Sequence, residues 1–163
     1  MTERSRISGS TKTHSEKIMV TNQTDCGDET RSRAVTRNKN VLVVDDDRLI
    51  CWALERLSSA HDCSITSVNS GEEAIAALSR TPFEVVFLDV HLPDANGLEL
   101  LQEVKRISPE TKVAIMTADS SETVRKEALL GGAAHFIGKP FSIPEIRKII
   151  DSVLNEPLEN GGG

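Results

Sequence analysis

Three short runs of uninterrupted apolar residues constrain this chain more than any other feature: Val41–Val44, Val85–Leu88 and Val113–Met116. Each is too short for an ordinary helix and lacks the alternation of a strand with one wet face. Each therefore predicts a strand covered on both sides. The stretches between and after them repeat apolar residues at helical spacing. Leu49, Ile50, Ala53, Leu54 and Leu57 form one such face, and Ala74, Ile75, Ala77 and Leu78 a second. Leu98, Leu101, Val104 and Ile107, in a helix over 97–107, form a third, and Ile146, Ile149, Ile150, Val153 and Leu154 the last. Ser70–Glu73, Asp119–Glu122 and Ser142–Glu145 each place a small polar residue three positions before Glu, the pattern of a capping box at a helix start. Gly131-Gly132 ends the helix that begins at Glu122. Two weaker strands complete the set. Residues 63–68 are partly polar, which suits a sheet edge, and residues 133–137 are short.

Strands buried on both faces, alternating with amphipathic helices, require a parallel sheet with helices on either side. Five βα units fit between residues 40 and 155. Crossovers of one hand leave few topologies. The expected architecture is α/β, a doubly wound five-stranded parallel sheet of order 2-1-3-4-5 with five helices.

Composition sets the limits of that domain. A chain of 163 residues suits one domain, yet residues 1–40 hold only eight apolar side chains and neither Phe nor Trp. Such a segment buries too little apolar surface to offset its ordering entropy. Residues 1–38 are accordingly expected to be a disordered polar tail, 39–155 the folded domain, and 156–163 a flexible end. Residues 1–40, net +3, also admit readings as a basic interaction arm or as an extension ahead of a start at Met19. No apolar run approaches the length of a membrane span, and the polar N-terminus lacks the pattern of a secretory signal. A net charge of −6 disfavours direct binding of nucleic acid. Cys26, Cys51 and Cys63 are odd in number and lack metal-ligand spacing, which points to reduced cytoplasmic thiols and excludes structural zinc.

The informative polar residues stand just past the apolar runs. Strand 1 ends in Asp45-Asp46-Asp47, strand 3 in Asp89, strand 4 in Thr117, and Lys139-Pro140 follows strand 5. In an open α/β sheet, ligands bind outside the carboxyl ends of the strands where the order reverses, here between strands 1 and 3. Asp45, Asp46 and Asp89 are expected to converge there. Crowded carboxylates repel one another, so at least one pKa should rise unless a cation is present. An all-oxygen cluster suits a hard divalent ion such as Mg2+. Lys139 adds a point charge and Thr117 a hydroxyl, which together make a site for a phosphoryl group beside a carboxylate nucleophile. Asp47 reads equally well as the N-cap of the first helix.

With these segments in place, residues 41–47, 85–101, 113–118 and 131–141, the chain resembles the receiver domain of two-component response regulators over residues 40–155. The resemblance implies a flavodoxin-like fold with Asp89 as phosphoacceptor. It implies Asp46 as direct Mg2+ ligand, Asp45 as a ligand through water, and the backbone carbonyl of His91 as the third protein ligand. Thr117 matches the hydroxyl that bonds the phosphoryl group, Ala118 the small residue beside it, Lys139 the lysine of the site, and Phe136 the aromatic switch. A cis Lys139-Pro140 bond is implied as well. So is a function: the chain accepts a phosphoryl group from a sensor histidine kinase or phosphotransfer domain. It then switches its helix 4, strand 5 and helix 5 surface for an output protein. It catalyses only its own phosphorylation and dephosphorylation. The region of helix 1 near Arg48, Leu49 and Trp52 is the implied kinase-docking side.

Three features depart from the family pattern. Phe136 lacks the phenolic hydroxyl of the more familiar Tyr. Gly138 is small and is expected to loosen Lys139. The His91 side chain stands near the site and reads either as a solvated loop residue or as a group that tunes hydrolysis. No output module follows the domain, so a stand-alone receiver is expected. The segments are also similar to receivers attached to enhancer-binding activators, which leaves a longer regulator open. The competing classes are a haloacid-dehalogenase-like phosphatase built on Asp45-x-Asp47, a pseudo-receiver that only binds, and an FMN binder.

Overall fold

In a computed structural model, residues 39–155 are described; the expected tail and the expected C-terminal end lie outside the described residues. The chain runs β1 (Lys39–Val44), α1 (Arg48–Glu55), β2 (Cys63–Val68), α2 (Gly71–Leu78), β3 (Val85–Asp89) and α3 (Gly97–Ile107). It continues through β4 (Lys112–Thr117), α4 (Glu122–Leu130), β5 (His135–Gly138) and α5 (Ile143–Leu154). All strands are parallel, in the order β2-β1-β3-β4-β5. The doubly wound α/β architecture read from the sequence is the one observed.

Alternation along each strand divides the core in two. Leu42, Val44, Val86, Leu88, Val113 and Ile115 face the side covered by α2, α3 and α4. Val41, Val43, Val85, Phe87, Ala114 and Met116 face the side covered by α1 and α5. Both sets are fully buried, so the central stretches of these strands are apolar on both faces and their polar residues stand only at the strand ends. β2 carries Ser64, Thr66 and Ser67 because it is an edge and need bury only part of its surface. Among the described residues no helix is long and apolar enough to cross a membrane.

Local chemistry fixes where the elements begin. The Asp47 carboxylate accepts the Leu49 N–H at 2.8 Å and caps α1. Ser70 Oγ accepts the Glu73 N–H, while the Glu73 carboxylate reaches back to the Asn69 N–H. Glu145 accepts from both the N–H and the hydroxyl of Ser142 at the start of α5. α4 starts at Glu122 as expected, but its cap differs. Ser121 is its N-cap, and Asp119 instead accepts the Ser121 N–H one turn earlier. Leu49 also differs: it is 75% exposed, because it lies five positions and about 140° round the helix from the buried Leu54 of α1, while Leu57 is buried from the 3-10 turn that follows (Arg56–Ala60). The fifth strand begins two residues later than expected, since the Ala133 N–H is spent on the Ala128 carbonyl that closes α4. Gly132 takes φ +94° at that turn, a conformation that favours glycine.

Candidate functional site

The register of the sheet brings four strand ends to one edge. Val44 is level with Leu88, Asp89 with Met116, and Thr117 with Gly138. The residues that follow β1 and β5 therefore meet the ends of β3 and β4 without a long reach. Asp45 and Asp89 are buried, and Asp46 is exposed. One carboxylate oxygen from each lies within 4.8 Å of the others.

Lys139 joins the group. Its Nζ donates to Asp45 Oδ2 at 2.8 Å and to Asp89 Oδ2 at 3.0 Å. The opposite oxygens are also engaged: Asp45 Oδ1 accepts the Asp47 N–H, and Asp89 Oδ1 accepts the His91 N–H at 3.2 Å. Thr117 is fully buried, and its Oγ1 accepts the Asp119 N–H at 3.0 Å. The Lys139 N–H donates to the Thr117 carbonyl at 2.7 Å, and the Lys139-Pro140 bond is cis. Lysine is thus held from both its backbone and its side chain.

Burial raises the Asp45 pKa, against lowering by the Lys139 bond and the Asp47 N–H; repulsion from Asp89 is the smallest contribution. The rise expected from crowding is present, but its main cause is lost hydration rather than carboxylate repulsion. For Lys139, burial works against the charge, yet the bonds to Asp45 and Asp89 outweigh it and its pKa is raised. Three carboxylates against one ammonium leave a negative surplus of hard oxygen donors. That donor chemistry fits a hard divalent cation such as Mg2+, with Asp45, Asp46 and Asp89 able to hold it.

The remaining expected residues take varied places. Ala118 is exposed immediately after Thr117, and the His91 side chain is exposed on the β3–α3 loop. Asp47 is accounted for by its capping role. Phe136 is half-buried beside Ile115, packed on the α2–α3–α4 side. The Arg125 guanidinium of α4 lies over its ring, 5.3 Å from the centroid. Gly138 is explained by space rather than looseness: a Cβ there would stand 2.6 Å from Ser120 Oγ, in the loop between β4 and α4. On α1, Leu49 and Trp52 are exposed, and Arg56 stacks on Trp52 at 4.6 Å.

Sequence reasoning missed three contributors. Gly97 opens α3 where a Cβ would lie 2.1 Å from the Asp89 carbonyl oxygen, so only glycine lets the helix approach the strand end. The Asn96-Gly97 pair ahead of a helical pattern was a usable signal for it. Ser120 and Asp94 act across distances that spacing along the chain does not reveal.

Comparison with known proteins follows the same lines. The family described as the response regulator receiver domain matches residues 41–151. The DNA-binding transcriptional regulator NtrC of Klebsiella pneumoniae is 35% identical over 117 residues, covering 72% of this chain and 25% of the relative. NtrC of Salmonella typhimurium is 37% identical over 120 residues, covering 73% and 25%. The chain thus spans about a quarter of the length of these relatives. Among solved structures, a CheY-like receiver domain protein from Methanospirillum hungatei superposes with a TM-score of 0.68 at 26% identity, covering 71% of this chain and 93% of that one. The BeF3-activated DrrB receiver domain gives 0.67 at 28% identity, covering 72% and 98%.

Proposed function

The chain belongs to the response regulator receiver domain family, and from that premise we propose that Asp89 accepts a phosphoryl group from a phosphohistidine. The observation that carries the reading is the Lys139 ammonium bonded at once to Asp45 and Asp89, beside the buried Thr117 hydroxyl. In the transfer, the P–N bond of the donor breaks as an Asp89 oxygen forms a new P–O bond, and the imidazole leaves with the electron pair. Lys139 exchanges its carboxylate partner for a phosphoryl oxygen. The Thr117 hydroxyl donates its proton to another, because a hydroxyl can give one hydrogen bond while accepting others. Asp45, Asp46, Asp89 and the His91 carbonyl would hold Mg2+, which supplies neutralising charge to the phosphoryl oxygens. Ala118 leaves room beside them.

The added charge then biases a two-state element. Thr117 leaves its bond with the Asp119 N–H, the Phe136 ring turns into the space, and the α4–β5–α5 surface changes. That surface binds an output partner. The donor, a sensor histidine kinase or phosphotransfer domain, docks over α1, where Leu49 and Trp52 are exposed. The chain works in the cytoplasm and turns over no external metabolite. The phosphatase reading has less support, since Asp47, the second acid of its pattern, serves as the cap of α1.

Beryllofluoride with Mg2+ mimics an aspartyl phosphate and tests this reading by amide chemical shifts. The reading expects saturable one-to-one binding that needs Mg2+ and is abolished by Asp89→Asn, with shifts at Thr117, Phe136, α4 and α5. Absence of binding in folded protein would overturn it.

A further inference from the structure

Asp94 stands outside the acidic cluster, at the tip of the loop between β3 and α3. Its two oxygens accept the first two amides of α2: Gly71 N–H to Oδ1 at 2.8 Å and Glu72 N–H to Oδ2 at 3.0 Å. The next amide, Glu73 N–H, goes to Ser70 Oγ. The first turn of α2 is therefore capped twice, once by its own N-cap and once by a carboxylate from the neighbouring βα unit. Loop and helix also touch: a Cβ on Gly71 would lie 2.9 Å from Ala95 Cβ. A helix start leaves four N–H groups without helical partners, and a local cap satisfies one of them. The second cap ties a loop to a helix.

That loop is stiff. His91 and Asn96 bridge its base in antiparallel fashion, and the Gly97 N–H donates to the Val90 carbonyl at 2.8 Å. The His91 N–H rests on Asp89 Oδ1. A force on the tip at Asp94 is thus transmitted to His91 across a closed hairpin of a few residues. We propose that Asp94 is a positioning residue: by clamping the hairpin tip to α2, it sets where the His91 backbone stands beside Asp89 and so how tightly the acidic cluster holds a divalent cation. The proposal rests on the reading above of His91 and the three aspartates as the holders of that cation. Charge-assisted bonds of this kind are the stronger ones, and the two amides hold the Asp94 carboxyl below the usual carboxylate range.

Two variants separate positioning from simple helix capping. Asp94→Ala and Ser70→Ala each remove a cap from the same turn of α2, but only the first releases the loop. Amide hydrogen exchange at His91 is read without metal. Mg2+ alone is then titrated at about 0.5 M salt, where the field of an exposed carboxylate is screened. Asp94→Ala is expected to speed exchange at His91 and to raise the Mg2+ half-saturation concentration by about threefold or more. Asp94→Asn, which keeps one acceptor oxygen, recovers part of both. Ser70→Ala moves neither, although it lowers the melting temperature. Equal behaviour of Asp94→Ala and Ser70→Ala, whether both shift or neither does, overturns the proposal. Wild-type protein that binds Mg2+ yet gains no phosphoryl group defeats the phosphoacceptor reading instead, while these two measurements still decide the clamp.

Discussion

Asp45 loses its water on folding and keeps a negative charge at neutral pH only against that loss. Its pKa is raised from 3.8, chiefly by burial. Between pH 3.8 and the raised value, the native state holds a proton that the unfolded chain has released. Its contribution to stability therefore falls as pH rises through that window, and the full cost is present above it. Asp45→Asn, which imitates the protonated form, should match wild type near the lower bound. Without metal it should become more stable than wild type at neutral pH. Urea unfolding in chelator at a series of pH values measures this; a variant that is less stable throughout contradicts it. Lys139 changes stability in the same direction, in a higher pH window. Its raised pKa stabilises the fold below its ordinary 10.5 and is lost only as pH climbs through the folded value. These residues were legible in the sequence because charge just past an apolar strand is rare without a task. Asp94 was not, since an acid in a loop looks alike whether it faces solvent or caps a helix 23 positions earlier in the chain.

Helices and strands place these groups, and close approach between elements decides their reach. Gly138 on β5 lets the β4–α4 loop settle with Ser120 Oγ where a Cβ would stand. Only the hydroxyl of the exposed Ser120 is close, so Gly138→Ala should be met by rotation of that side chain, at a cost of roughly 0.5–1 kcal/mol. Removing the obstacle in Gly138→Ala/Ser120→Gly should recover most of the loss. A double-mutant cycle on melting temperature and beryllofluoride affinity checks this, and strictly additive effects would refute it. Element type was legible throughout, because the apolar runs and helical faces were long enough to declare their period. Boundaries were less so. Asp119 and Ser121 both offer capping oxygens within one turn, and which one caps α4 depends on where β4 releases the chain. Leu49 fits a helical face by its spacing to Ile50 and Ala53, yet it stands about 140° round the helix from Leu54, which is the side that meets the core.

At the scale of the whole molecule, a parallel sheet lines up the strand ends on which the proposed transfer and switch depend. Order β2-β1-β3-β4-β5 puts the carboxylates between β1 and β3, and Thr117 and Lys139 at the ends of the next two strands. Phe136 lies on β5, two residues before Gly138, with Arg125 of α4 across its ring. In the proposed reading, a phosphoryl group at Asp89 would stand at one end of a short path through Thr117 to β5 and α4. The topology was legible because strands buried on both faces admit few arrangements, whereas the stacking of Arg125 on Phe136 depends on side-chain placement that no spacing encodes. The most direct measurement is intact mass after incubation with acetyl phosphate. The account predicts a gain of one phosphoryl group that requires Mg2+ and is absent in Asp89→Asn. An unchanged mass in folded, Mg2+-loaded protein, or an equal gain in Asp89→Asn, would contradict it.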